Sequence, residues 1–226
     1  MKALYSSSAF TANIFEYWKQ KFEIANDDIF PLLSSLNDLL KLETQQIVNI
    51  SYEKQNIIFP TAREHPCLDI NFECIGSLKD IGFECKYREP FYNIYKGKSN
   101  SDWSKFDIYL KKPRNHWDGL SNLFEFASKK NDFRYLDVIQ LIRHILGLNI
   151  KHQNNKDKYA LIYLYCPSYF KDNSIYADEI NQFNDIVKLD EIHFFSFTYY
   201  DLFITLDKNI LKKDMAYLNY NMIRYL

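Results

Sequence analysis

The stretch CLDINFECIGSLKDIGFECKY, residues 67–87, alternates apolar and polar side chains on either side of a short GSLKD turn. A period of two is the signature of strands, and so short a connection joins them as an antiparallel hairpin with its loop at about 76–80. Parity then sorts the side chains. In the first arm Asp69 takes the face opposite Leu68, Ile70 and Phe72. In the second, Glu84 and Lys86 take the face opposite Phe83, Cys85 and Tyr87. The two arms are neighbours, so Asp69, Glu84 and Lys86 can converge at one edge of a sheet. The plain alternative is a solvated strand face on which opposite charges simply meet water.

Outward from the hairpin, the chain of 226 residues has the length of one large domain, expected to span 1–226. Ser6, Ser7 and Ser8 can cap a helix whose apolar side is Phe10, Ile14, Phe15 and Trp18. A second helix follows Pro31, with leucines at 32, 33, 36, 39 and 40, so helices fill 1–45. QQIVNISYEKQNIIF predicts a strand over about 46–58. After the hairpin, about 91–132 reads as an inserted segment in which FDIYLKK and NLFEFASKK look like strands joined by PRNHWDGLS. LDVIQLIRHILGL (136–148) is an amphipathic helix with its stop expected near Gly147. YALIYLYC is a continuous apolar run of the kind a buried strand shows. A helix at 176–188, a strand at 193–200 and a C-terminal helical piece complete the order. Helices, three strands, an insertion, then helix, strand, helix and strand predict an α/β sandwich around a mixed sheet.

Composition narrows the function classes. The formal net charge of −1 argues against a protein that coats nucleic acid over its whole surface. A local basic groove is still compatible, and Lys111, Lys112 and Arg114 beside Trp117 could touch a backbone or simply form a solvated tip. Five glycines leave little room for a phosphate-cradling loop, and no nucleophile elbow is present. The four cysteines lack zinc spacing and fit a reducing compartment. No apolar run suits a membrane span or a signal peptide, so a soluble, cytoplasmic protein with no membrane partner is expected. The wealth of Lys, Asn, Ile, Phe and Tyr suits an AT-rich bacterial genome.

The chemistry lies in the hairpin. Asp69 and Glu84, helped by the backbone carbonyl of Cys85, form a hard oxygen set suited to Mg²⁺, with Mn²⁺ as a substitute. Lys86 beside them can orient or deprotonate a water and stabilise charge on phosphoryl oxygens. Glu53 has the parity of an outward residue on the preceding strand and could add a ligand, a surface glutamate being the plain reading. A rival set is Asp107, Glu125 and Lys129 on the two strands expected in the insertion, although Ala127 stands where the lysine should be. On the helix, Gln140 shares a polar face with Asp137, Arg143 and His144. Its amide can hold a water or be structural. Arg143 could meet a phosphate, whereas His144 has the look of a partly buried helix residue. Asn13 and Glu16 on the first helix could face the site or only solvent.

Asp69 followed by Glu84-Cys85-Lys86 on the next strand resembles the D…(D/E)xK signature of restriction-endonuclease-like PD-(D/E)xK nucleases. Pro66 stands three residues before Asp69, displaced from the adjacent position of the family pattern. The order of elements, the Gln140 helix and the YALIYLYC strand continue the likeness over about 4–205, and LYSSSAFTANIF and QLIRHILGL look like a bacterial branch of that superfamily. The resemblance implies a Mg²⁺-dependent deoxyribonuclease with Asp69 and Glu84 on the metal, Lys86 on the water and Gln140 in support. It also implies DNA as partner and a role in restriction or anti-phage defence. Cutting both strands of a duplex would favour a homodimer. The alternative is an inert nucleic-acid-binding or protein-interaction module that keeps the fold without cleavage.

Overall fold

The computed structural model describes residues 7–25, 29–42, 44–59, 65–87, 103, 106–111, 114–131, 133–167 and 173–225. Two helices come first, α1 (Ser7–Ala25) and α2 (Phe30–Leu40), the second with a proline in its first turn, where the missing N–H would be unpaired anyway. Strands β1 (Thr44–Gln55), β2 (Cys67–Gly76) and β3 (Asp80–Lys86) follow. Then come α3 (Asp107–Leu110), α4 (Ser121–Ser128), α5 (Val138–Lys151) and β4 (Tyr159–Tyr165). The chain ends with α6 (Asn173–Leu189), β5 (Phe194–Thr198), α7 (Tyr199–Asn209) and α8 (Met215–Tyr225).

The five strands form one mixed sheet in the order β1-β2-β3-β4-β5, antiparallel through β1, β2 and β3 and parallel from β3 to β5. Its two parallel steps are crossovers through α5 and α6, and both helices pack on the same face. That is the result when two right-handed crossovers advance in one direction. Side chains of α4, α5 and α6 share a core with Leu161 and Tyr163. Side chains of α1, α2, α7 and α8 cover the other face, over Phe72, Phe83 and Ile162. The architecture is an α/β sandwich around a mixed sheet, as the hairpin and the order of elements predict.

The hairpin has the expected register, with Ile70 opposite Phe83 and Phe72 opposite Ile81. Gly76 adopts φ +146 at the turn, a conformation open to a residue without Cβ. Asp80, expected in the turn, instead begins β3 and is buried. It accepts hydrogen bonds from Asn71 Nδ2 (2.7 Å), Lys151 Nζ (2.8 Å) and His152 Nε2 (2.6 Å). Burial alone would push its carboxyl up, but these three partners outweigh it and hold the group below its ordinary range.

Other expectations are corrected. The segments read as strands at FDIYLKK and NLFEFASKK are the helices α3 and α4. In α4 the buried residues are Leu123, Phe126 and Ala127, a spacing of three and four, and a run this short fits either period by eye. The strand at 193–200 gives way to helix at Tyr199, because Thr198 and Asp201 form a reciprocal capping box. Leu68 does not share a face with Ile70 and Phe72. It joins the core under α5, in the space over Gly82, where an added Cβ would lie 2.7 Å from Leu68 Cδ1.

Helix α5 does not stop at Gly147 but continues to Lys151. Glycine is there for packing, since a Cβ would meet Asn56 Cβ at 2.6 Å and Pro66 Cγ at 3.3 Å. A glycine inside a helix normally gains about 0.5–1 kcal/mol on replacement by alanine. Gly147→Ala should reverse that sign and cost about 1–3 kcal/mol, read as a lower denaturation midpoint. A midpoint at or above that of the wild type would refute the packing argument.

Candidate active site at the end of the central strand

Helix α5 runs antiparallel across β3, and polar contacts join them at both ends. Lys86 Nζ donates to Gln140 Oε1 at 2.9 Å, and His144 Nε2 donates to Glu84 Oε2 at 2.8 Å. Lys151 and His152 reach Asp80 at the other end. Seven helical residues from 144 to 151 advance about 10.5 Å and four strand residues from 84 to 80 about 13 Å, so the two elements stay nearly in step. The N-terminal turn of α5 is thereby set over the C-terminal end of β3.

At that end the sequence-predicted residues come together. Glu84 is 1% exposed, and its Oε1 lies 2.5 Å from Lys86 Nζ. The β2–β3 ladder closes at Ile70 and Phe83. One residue further along β2, Asp69 Oδ2 accepts the backbone N–H of Cys85 at 2.8 Å. Gln140 is fixed by its own backbone, since its N–H donates to the capping carboxylate of Asp137 at 3.0 Å. The Cys85 side chain is buried with the opposite core, as parity requires.

The electrostatics divide the two carboxylates. Burial pushes Glu84 up, yet the ammonium of Lys86 and the hydrogen bond from His144 outweigh it and hold Glu84 below its usual range. Asp69 goes the other way. Burial, followed by the charge of Glu84, raises its carboxyl to about 8 against the opposing Cys85 N–H and Lys86. Burial pulls Lys86 down, but Glu84 and then Asp69 and Asp137 more than restore it, leaving it above its ordinary value. Asp137 is likewise raised, first by burial. A carboxylate that resists ionisation first because it is buried, and then because a second carboxylate stands beside it, marks a place where a cation would be favoured. The donors there are oxygens, which suit a hard divalent cation that keeps several waters. Among the described residues no three His, Cys, Asp or Glu side chains gather as a metal site, so such an ion would rest on two carboxylates at most, with backbone oxygen and water.

The remaining sequence candidates disperse. Glu53 is exposed on β1 at φ +51. Its carboxylate accepts from Cys67 Sγ at 3.5 Å and adds to the field that raises Asp69. Asn13 and Glu16 belong to the layer on the other side of the sheet, where Asn13 Nδ2 donates to Tyr225 Oη at 2.8 Å and Glu16 accepts from Gln20. Arg143 lies over the ring of Tyr109, 5.6 Å from its centroid. The rival set dissolves into ion pairs at the surface. Asp107 meets Lys130 at 2.7 Å, and Glu125 meets Lys129 one helical turn away at 2.6 Å. Trp117 is buried and donates to Tyr109 O, so it offers no face to a nucleic acid. Lys112 and the Arg114 side chain fall outside the described residues.

Sequence reasoning passed over two groups. His144, read from the sequence as a partly buried helix residue, is fully buried on Glu84; its spacing of four from Gln140 is the signal for its place beside the site. Glu179 accepts three successive backbone N–H groups, from Arg134, Tyr135 and Leu136 at 2.5, 2.8 and 2.8 Å. It thus secures the segment that leads into Asp137. No local pattern announces it.

Among the described residues no helix is long and apolar enough to cross a membrane. Comparisons with curated proteins and with solved structures return no significant match. The family described as restriction endonuclease associating with ARP matches residues 1–219, nearly the whole chain and all of the sheet that carries Asp69, Glu84 and Lys86, and the protein belongs to that family.

Proposed function

We propose that this chain is a metal-dependent endonuclease that hydrolyses DNA phosphodiester bonds in defence against foreign DNA. The observation that carries the reading is the linked set at the end of β3. Glu84, Lys86 and Gln140 are joined within hydrogen-bond distance, and Asp69 is anchored on the intervening Cys85 N–H. Membership of a restriction endonuclease family supports it. The association with ARP in the family's name belongs to the same proposal.

Asp69 and Glu84, with the Cys85 carbonyl, would hold Mg²⁺ or Mn²⁺. Once bound, the ion supplies Lewis-acid polarisation of the phosphodiester and a lowered pKa for water. The chain's own groups supply the rest. Held protonated by Glu84, Lys86 donates N–H bonds to the attacking water and to a phosphoryl oxygen as negative charge builds there. Gln140, through the oxygen that now accepts from Lys86, fixes the direction of the ammonium. Water adds to phosphorus and releases its proton to solvent. The opposite P–O bond breaks, and the departing oxygen takes a proton from solvent, with no covalent enzyme intermediate.

Cleavage of plasmid and linear duplex DNA with Mg²⁺ or Mn²⁺ present, and with the metal chelated, tests this. The wild type should cut, and chelation or Asp69→Ala should stop it. Equal cutting by wild type and Asp69→Ala would sink the assignment.

A further inference from the structure

We infer that His144 is a positioning residue that fixes the Glu84 carboxylate for metal binding by committing its Oε2 to a hydrogen bond from Nε2. The inference rests on the nuclease reading above and deepens it.

The geometry leaves His144 little else to do. Its ring is wholly buried beneath α5, and Nε2 lies 2.8 Å from Glu84 Oε2. Among the described residues its Nδ1 has no hydrogen-bond partner. A carboxylate only accepts, so Nε2 must carry the hydrogen. His144 is thus a directional donor to that one oxygen.

Glu84 is left with one oxygen taken and one oriented. Oε2 is tied to α5, while Oε1 faces Lys86 at 2.5 Å. A carboxylate pinned in this way can offer a cation a single oxygen in a fixed direction, and without the pin both oxygens could swing. Partners that orient a ligand in this manner typically govern metal affinity by about 10–100-fold. Gln140 and His144, one turn apart, then divide the labour: the first orients Lys86 and the second orients Glu84.

Two substitutions separate this role from mere packing. His144→Phe keeps the ring volume and removes the donor. His144→Gln keeps an N–H donor at similar reach. Mn²⁺ titration by calorimetry, with circular dichroism to establish folding, should show His144→Phe weakened by at least 10-fold and His144→Gln within about 3-fold of wild type. DNA cleavage at saturating Mn²⁺ should follow the same order. Should His144→Phe fail to fold, His144→Asn, whose amide is too short to reach Oε2, replaces it with the same expectation. Wild-type affinity in the donor-less variant, or equal weakening of it and His144→Gln, overturns the inference while leaving the nuclease reading intact. A wild type that binds no Mn²⁺ at all overturns both.

Discussion

Replacing Lys86 by methionine is expected to lower Mg²⁺-dependent DNA cleavage by about 10³-fold while Mn²⁺ binding stays at least as tight as in the wild type. Methionine keeps most of the aliphatic stem, which matters because the lysine side chain is only 16% exposed and packs as well as charges. Its ammonium supplies N–H donors where phosphoryl charge develops, and losing one such preorganised donor costs about 10²–10³-fold, with a further contribution from misplaced water. The prediction for metal has the opposite sense. The ammonium sits on Glu84 Oε1, so it competes with any cation that approaches the same oxygen, and its removal relieves that competition. Gel-based cleavage rates and calorimetry on the same preparation check both halves. Full activity would remove Lys86 from the reaction. Loss of cleavage together with loss of Mn²⁺ binding would make it a structural residue only.

How much of this arrangement is written locally in the chain follows from who bonds to whom. The placement of Asp69, Glu84 and Lys86 was legible because a short turn fixes the register of two alternating arms, and parity then assigns their faces. Gln140 was legible as a polar residue on an otherwise apolar helix. His144 and Glu179 were not, since their partners lie about 60 and 45 residues away and only the packing of α5 on β3 and of α6 beside it brings them together. The helices taken for strands in the insertion failed for a different reason. Runs such as NLFEFAS hold too few residues for period two and period 3.6 to part company. Gly147 misled because its small size makes room for Asn56 and Pro66, just beyond the end of β1 and just before β2, and does not mark the end of its own helix.

The two carboxylates of the site should respond to removal with opposite signs in the metal-free protein. Glu84→Ala strands the buried ammonium of Lys86 and the donor of His144, and leaving a buried ion without its partner costs about 3–5 kcal/mol. Asp69→Asn should instead stabilise. Asp69 is raised to about 8 from an ordinary 3.8, so between those values the folded chain binds more protons than the unfolded one, and stability falls as pH rises through that window. The penalty is absent below about pH 4 and complete above about pH 8. An amide at position 69 cannot ionise, and its oxygen can still accept the Cys85 N–H. The gain at pH 8 should be on the order of 2–3 kcal/mol, the full shift being discounted for the part of the carboxylate that still meets water. Thermal or urea unfolding at pH 5 and pH 8 without metal tests the sign, since the advantage of Asp69→Asn over wild type should grow between the two. Added Mn²⁺ should then reverse the order, because a cation that binds only the folded wild type stabilises it by mass action and leaves the variant where it was. A flat difference across pH, with no reversal on adding Mn²⁺, would mean that Asp69 and Glu84 do not share one charge-poor site. The same carboxylate that weakens the empty protein is the one the bound ion would require, so the strain at Asp69 and its proposed function have a single cause.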